Sequence, residues 1–378
     1  MTLRVAIVGG GTAGHVYPGL ALARTLRDRG HEVMFLGTAT GLESRLIPSA
    51  GFPFRVIRAK PFVRQRWLSS IRAPFVAMAA VRECRPLVRE TDVVVGMGGY
   101  VSVPGALAAR REARPLVLHE QNAIPGLANR ALSRIAGAVA LTFADAGRFF
   151  PLKARLELTG DPVREEVLRV PRDREGMAKE GRHEFDLDES RRTVLIFGGS
   201  LGALHIDRAA VGACRILAGR SDLQVLLITG PAHLPAVDRA LATFGAGGSA
   251  AASRILVRDT GYTDRMELAY ACADLVVARA GATTIAELTV CGLPSILVPY
   301  PYATRGHQAA NARAVQRAGG ASLLLDDQLT AESLAERITT LIDHGERLEA
   351  MAHRSSSFGR PDAAVRLADV VERAGLPA

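Results

Sequence analysis

Short runs of consecutive apolar residues alternate along this chain with longer stretches whose apolar positions recur every three or four residues. In the first half, Arg4–Val8, Glu32–Leu36, Phe54–Ile57, Asp92–Val95, Pro115–Leu118 and Ala138–Leu141 read as strands. In the second half, Thr193–Phe197, Gln224–Ile228, Arg254–Val257, Asp274–Val277, Ser295–Val298 and Ala321–Leu324 do the same. Apolar strands separated by helical stretches predict parallel sheets covered on both faces. The first helix is expected over Tyr17–Arg29, ended by Gly30, with Ala21, Leu22, Thr25 and Leu26 on its buried face. From Gly160 to Arg192 the apolar period is lost, charge rises and Pro162 and Pro171 intervene, which marks a junction between domains 1–160 and 161–359. A last amphipathic stretch, Pro361–Ala374 within 360–376, is expected to cross back onto the first domain. The predicted class is α/β, two Rossmann-like domains similar in architecture and not in detailed sequence.

Two glycine-rich turns stand at matching places in the halves. Arg4–Val8 flows into Gly9-Gly10-Gly11-Thr12-Ala13-Gly14-His15, and Thr193–Phe197 into Gly198-Gly199-Ser200-Leu201-Gly202-Ala203. A strand, a glycine turn and a helix start place bare backbone N–H groups before a ligand. Gly9-x-Gly11-x-x-Gly14 formally meets the dinucleotide fingerprint, which also requires an acid at the end of the second strand. That strand ends Leu36-Gly37-Thr38, with no Asp or Glu. A turn carrying small side chains and one imidazole suits a sugar hydroxyl or a leaving diphosphate better, or is a tight turn capped by His15.

Composition changes the picture in two ways. Four well-separated cysteines, Cys84, Cys214, Cys272 and Cys291, form neither a disulfide framework nor a zinc pattern, and a reducing cytoplasm fits. No charged-then-apolar leader is evident, and no stretch reaches the roughly 18 apolar residues of a spanning helix. Any membrane contact is therefore expected from the surface. The formal charge of +9 is unevenly placed: residues 1–160 hold 22 Lys/Arg against 10 Asp/Glu. A basic half suits nucleic acid, an anionic membrane or a phosphorylated substrate, or is a solvated arginine surface. Nucleic acid is disfavoured, because no helix-turn-helix, zinc-finger or RNP signature is present.

The second half carries a stronger constellation after Asp274–Val277, the run Ala278-Arg279-Ala280-Gly281-Ala282-Thr283-Thr284-Ile285-Ala286-Glu287. A small-residue loop entering a helix favours an anion, and Glu287, one turn in, can accept from the vicinal hydroxyls of a ribose. Ser200 can donate to a diphosphate oxygen or cap its helix. Pro299-Tyr300-Pro301-Tyr302 leads to Gly306-His307-Gln308-Ala309-Ala310-Asn311. The first half adds Gly96-Met97-Gly98-Gly99-Tyr100-Val101-Ser102, and His119-Glu120-Gln121-Asn122 followed by Asn129. All fall at predicted C-terminal strand edges, where open α/β sheets bind ligands.

Taken together, GGGTAGH, GMGGYVS, HEQN, GDPVR, GGSLGA, RAGATTIAE and GHQAANA closely resemble the MurG family, over nearly the whole chain and in order. The resemblance implies a GT-B fold with its active site in the cleft between facing domains, and transfer of N-acetylglucosamine from UDP-GlcNAc to the C4 hydroxyl of MurNAc in lipid I, giving lipid II. It implies donor contacts at Thr12, Ala13, Gly14, Asn122, Arg164, Ser200, Thr263, Ala282, Thr283, Thr284, Ile285, Ala286, Glu287 and Gln308, and acceptor contacts at His15, Tyr100 and Asn129. Ala13 stands where many relatives have glycine, and Leu201 where the second turn often has Gln. The family reaction inverts the anomeric centre in one displacement. His15 is the candidate base, since an imidazole near its usual pKa of ~6.5 accepts a proton at neutral pH. Alternatively His15 orients a substrate and Glu120 or a water relay is the base. Backbone donors and Arg164 would meet the charge of UDP, so no metal or other cofactor is expected. The acidic pair Asp186 and Asp188 lies in the charged junction before a strand and carries little weight as a metal site.

A polyprenyl diphosphate acceptor further implies peripheral docking on the cytoplasmic face of the plasma membrane, with an anionic inner leaflet and cell-wall synthesis or divisome proteins as partners. Arg64, Arg66, Arg72, Arg82, Arg85 and Arg89 surround Trp67, Leu68, Ile71, Phe75 and Met78. That pattern suits anionic lipid, or is a core stripe interrupted by Pro74. Rival readings are a UDP-GlcNAc 2-epimerase, a nicotinamide-binding oxidoreductase and a non-catalytic nucleotide-sugar-binding protein.

Overall fold

The structure, a computed structural model, describes residues 1–59, 73–199, 202–242 and 254–376. The chain forms two compact units, Met1–Arg164 with Arg360–Ala378, and Glu165–Gly359. Residues 161–164, given to the second domain from sequence, belong to the first unit: Asp161 and Val163 are buried there, and the Arg164 guanidinium lies 5.0 Å over the Tyr17 ring.

The first unit holds a seven-stranded sheet built from β1 (Arg4–Val8), β2 (Glu32–Gly37), β3 (Phe54–Val56), β4 (Val93–Gly96), β5 (Leu116–Glu120), β6 (Ala138–Leu141) and β7 (Leu156–Leu158). Its order is β3-β2-β1-β4-β5-β6-β7, and every pairing is parallel. The predicted strands of this half are all present. β7 is additional; it is a short edge strand, half-exposed and without the apolar run that marks the others. The interior strands β4, β5 and β6 are buried at every position, as a sheet covered on both faces requires.

The second unit repeats the plan with β8 (Arg192–Phe197), β9 (Leu223–Ile228), β10 (Leu256–Thr260), β11 (Leu275–Ala278), β12 (Ser295–Leu297) and β13 (Ala321–Leu323). These lie in the order β10-β9-β8-β11-β12-β13, again all parallel. Strand order reverses direction between β1 and β4 in the first sheet and between β8 and β11 in the second. Ligands of open parallel sheets bind beyond the strand ends at such a switch point. Both glycine-rich turns, and the loops beginning Met97 and Arg279, follow these four strands.

The first helix runs Ala13–Asp28, four residues earlier than its expected start. Pro18 therefore sits inside it and not at its beginning, leaving the Gly14 carbonyl without its usual intrahelical donor. Leu22 and Leu26 are buried as expected, whereas Ala21 and Thr25 are only half-buried. The C-terminal helix Ala363–Gly375 packs Leu367, Ala368, Val370 and Val371 into the first unit's core against Leu3, Val93 and Val117. Its polar rim is fixed by Arg29, which reaches Asp369 at 2.7 Å and Glu372 at 2.9 Å.

The 73–89 helix places Pro74 in its first turn, where a missing N–H is tolerated, so this proline does not interrupt it. Arg64, Arg66, Trp67, Leu68, Ile71 and Arg72 lie outside the described residues. Of the remaining stripe, Met78 is exposed, and Arg85 and Arg89 both bind Glu112. No helix among the described residues is long and apolar enough to cross a membrane.

Candidate active site

In the first unit, the helix start delivers His15 in its first turn. Thr12 is the N-cap residue, yet its hydroxyl makes no capping bond to the backbone; Oγ1 instead meets His15 Nδ1 at 2.8 Å. That engagement leaves Nε2 as the ring nitrogen that Thr12 does not hold. The imidazole lies against the turn after β4, where a Cβ on Gly98 would stand 3.2 Å from Nε2. Gly98 and Gly99 have φ of 96° and 71°, a left-handed backbone that also favours glycine. Burial lowers the His15 pKa to about 4, against an opposing push from nearby Glu43. His15 is therefore neutral at pH 7, with a lone pair available.

β5 ends in His119 and Glu120, both buried. His119 donates Nε2–H to the Gly160 carbonyl at 3.0 Å, and its Nδ1 has no partner. Burial, together with the neighbouring His15, holds its pKa down to about 4 in spite of that bond. Glu120 accepts from the Asn122 N–H at 2.9 Å, the Gly126 N–H at 3.1 Å and the Asn129 amide at 2.9 Å. Burial raises its pKa and these donors oppose the rise. Both oxygens are thus turned into the 121–129 loop, and the carboxylate fixes that loop. Asn129 also donates to the His119 carbonyl at 3.0 Å, while its own buried Oδ1 is unpartnered. Tyr100 stands beside the first glycine turn, 3.9 Å from where a Gly11 Cβ would be.

A residue that sequence reasoning passed over completes this cluster. No acid ends β2, but Glu43, at the start of helix Glu43–Ser49, reaches back to the same place. Its carboxylate accepts from the Gly11 N–H at 2.8 Å, the Thr38 N–H at 3.0 Å and the Thr38 hydroxyl at 2.6 Å. One backbone donor of the first turn, offered to an anion from sequence, is therefore already occupied. The available signal was the small-residue stretch Gly37-Thr38 and Gly41 just ahead of Glu43, which leaves the side chain room.

In the second unit, helix Ala282–Val290 begins at Gly281 with no side-chain cap and no acid in its first turn. Its first N–H groups can meet an anion at the switch point between β8 and β11. Thr283 and Thr284 stand half-buried at that end, and Ile285 and Ala286 turn into the core. Glu287 is buried, and the Tyr270 hydroxyl donates to its Oε2 at 2.9 Å. Gln308 accepts the Tyr300 N–H at 2.8 Å, which fixes its amide after the tight turn at Arg305 and Gly306. Asn311 ties the same helix to the Ala280 carbonyl at 3.3 Å. Arg279 is committed to Asp326 and to the Val298 and Pro299 carbonyls. Thr263 accepts from the Arg265 N–H at 2.9 Å beyond β10.

The structure thus groups Thr12, Ala13, Gly14, His15, Tyr100, Glu120, Asn122, Asn129 and Arg164 in the first unit. It places Thr263, Ala282–Glu287 and Gln308 in the second; Ser200 and Leu201 lie outside the described residues. Among the described residues no group of three or more His, Cys, Asp and Glu is placed to hold a metal ion. Asp186 pairs with Arg258 at 2.6 Å and Asp188 with Arg191 at 3.1 Å.

Comparison with known proteins finds two family domains along the chain. Residues 5–141 match the glycosyltransferase family 28 N-terminal domain, and 193–367 its C-terminal domain. With two parallel-sheet units of this topology, the molecule is a GT-B glycosyltransferase. The chain is 40% identical over 374 residues, 98% of both chains, to the UDP-N-acetylglucosamine–N-acetylmuramyl-(pentapeptide) pyrophosphoryl-undecaprenol N-acetylglucosamine transferase of Halothermothrix orenii. It is 38% identical to the Bacillus subtilis protein of that name, covering 98% of this chain and 99% of that one. The crystal structure of Acinetobacter baumannii MurG superposes with a TM-score of 0.79 at 30% identity, covering 98% of this chain and 99% of that chain. The chain belongs to the MurG family.

Proposed function

We propose that this protein transfers N-acetylglucosamine from UDP-GlcNAc to the C4 hydroxyl of MurNAc in lipid I, producing lipid II for peptidoglycan. The observation that carries this reading is near-40% identity, extending through both units, to transferases of that name. The epimerase alternative is set aside on the same ground.

In this reading the second unit holds the donor. The start of helix 282–290, with Ser200 from the second glycine turn, meets the diphosphate; Glu287 receives the ribose hydroxyls, Gln308 reads the sugar and Thr263 lies by the uracil. Thr12, Ala13, Gly14, Asn122 and Arg164 complete the donor contacts from the first unit, where Tyr100 and Asn129 bind the acceptor.

His15 Nε2 takes the proton of the attacking C4 hydroxyl. The new C1–O bond forms on the face opposite the departing UDP, which leaves with the electron pair of its bond to C1. The half-buried, neutral His15 with one nitrogen fixed by Thr12 supports this role. Glu120, with both oxygens engaged by its own loop, is assigned to positioning Asn122 and Asn129, and is not the base. The acceptor is a membrane lipid, so the enzyme works peripherally at the cytoplasmic face, its basic 58–90 region against anionic headgroups and within reach of cell-wall synthesis and division proteins. Acceptor-dependent release of UDP from UDP-GlcNAc is the test.

A further inference from the structure

Glu43 is wholly buried, and among the described residues it has no ion pair with Lys or Arg. A buried carboxylate without a cationic partner is costly to keep, and a Thr or Asn could satisfy single backbone donors at lower cost. The surroundings are nonetheless shaped around the acid. A Cβ on Gly41 would stand 2.0 Å from its Oε2, one on Gly10 2.2 Å from its Oε1, and one on Gly37 2.7 Å from its Cγ. Three glycines from three segments, the first turn, the end of β2 and the loop before helix 43–49, make the space that the carboxylate fills.

Taking the transferase reading above as given, we propose that Glu43 is a positioning residue for the reaction: it locks the first glycine turn through Gly11 and sets a fixed negative charge near His15. Gly11, held through its N–H at 2.8 Å, immediately precedes Thr12, whose hydroxyl holds His15 Nδ1. The chain Thr38, Glu43, Gly11, Thr12, His15 therefore runs without a gap from the end of β2 to the base. When the acceptor O–H bond breaks and its proton arrives on Nε2, the imidazole becomes a cation in a site that disfavours cations. The Glu43 charge offsets that penalty without exposing the ring to water.

Other groups near His15 do not supply this charge. His119 from β5 is neutral, and its own positive form would repel an imidazolium. Glu120 turns its oxygens into the 121–129 loop, Asp161 stands 3.8 Å from His119 Nε2, and Arg164 lies over Tyr17. Tyr100 and the Gly98–Gly99 turn contribute no anion. Burial pushes the Glu43 carboxyl upward, but the bonds from Thr38 and Gly11 hold it below its ordinary value, so it is ionised throughout the working range. The same occupancy means that the Gly11 N–H is not a cradle for the acceptor's diphosphate.

The test compares wild type with Glu43→Gln, which keeps the shape and loses the charge. UDP release is measured with UDP-GlcNAc and a lipid I analogue, and the His15 imidazole is titrated by NMR, assigned with His15→Ala. Glu43→Gln is expected to lower kcat roughly 10- to 100-fold, less than the roughly 10²- to 10⁴-fold of a whole general-base contribution. Both KM values should stay within about twofold, and the His15 midpoint should move to lower pH. Unchanged kcat, or an unmoved His15 midpoint, overturns the proposal. If Glu43→Gln does not fold, Thr38→Val serves: a several-fold lower kcat with unchanged KM supports the role, and a wild-type kcat overturns it. Wild type that releases no UDP with acceptor defeats the transferase reading separately, while the His15 titration still decides the role of Glu43.

Discussion

Tyr270 donates its hydroxyl to Glu287 Oε2 at 2.9 Å inside the second unit, and both side chains are buried. The bond sets the carboxylate of the residue assigned to the donor ribose. Tyr270→Phe keeps the ring, which packs 6.1 Å from Phe197, and removes only the hydroxyl. A hydrogen bond to a charged group contributes roughly 1.5–3 kcal/mol. Tyr270→Phe should therefore raise the KM for UDP-GlcNAc by about tenfold with a smaller change in kcat. Glu287→Ala should raise it further. A Tyr270→Phe enzyme with wild-type donor KM would remove Glu287 from the ribose.

The pH profile reports on His15. An imidazole at its ordinary pKa would lose activity as pH falls through ~6.5. With His15 held down to about 4 by burial, kcat/KM should stay level from pH 7 to about pH 5 and fall only as pH approaches 4. His15→Ala should lower kcat by roughly 10²- to 10⁴-fold. An acid limb centred near pH 6.5 would contradict the desolvation that lowers this ring's pKa.

His119 makes stability depend on pH in the same window. Its pKa is about 4 in the fold and ~6.5 in an unfolded chain, so between these values the unfolded state binds the extra proton. Above pH 6.5 both states are neutral and no penalty applies. As pH falls from 6.5 towards 4, stability should be lost, by up to about 3 kcal/mol from this residue. His119→Gln, which can still donate to the Gly160 carbonyl, should flatten that part of the curve. The check is the difference in urea-unfolding free energy between the two proteins across pH 4–7.

The basic stripe gives a prediction on binding and not on chemistry. Reversing Arg64, Arg66 and Arg72 to Glu should weaken binding to anionic vesicles and steepen the loss with added salt, since each basic residue contributes about 1 kcal/mol near such a surface. Turnover of a water-soluble acceptor should be unaffected. Sedimentation with vesicles shows the first, and unchanged sedimentation would place this stripe away from the membrane.

The fold was legible because buried parallel strands are near-continuous apolar runs, and every predicted strand is present. β7 was not, because Leu156–Leu158 is a half-exposed edge strand with only three residues and a Glu at its centre. The first helix starts four residues before its expected beginning, because the glycine turn itself enters the helix at Ala13, just after Thr12, whose hydroxyl meets His15. In the site, residues belonging to a contiguous motif, such as Gly9–His15 and Arg279–Glu287, were recognisable from local spacing. Glu43 was not, since its meaning depends on β2 lying beside β1, which brings Gly37 and Thr38 to the first turn. Glu120 was visible as a polar residue at a strand end, but the donors that occupy it, from Asn122, Gly126 and Asn129, are brought to it only by the folding of the segment that follows.

The most direct test of the central claim is the fate of UDP-GlcNAc. Incubated with a lipid I analogue, the protein should release UDP and yield an acceptor heavier by one N-acetylglucosamine residue, with no release when the acceptor is omitted. Conversion of UDP-GlcNAc to UDP-ManNAc, or UDP release indifferent to the acceptor, would contradict it.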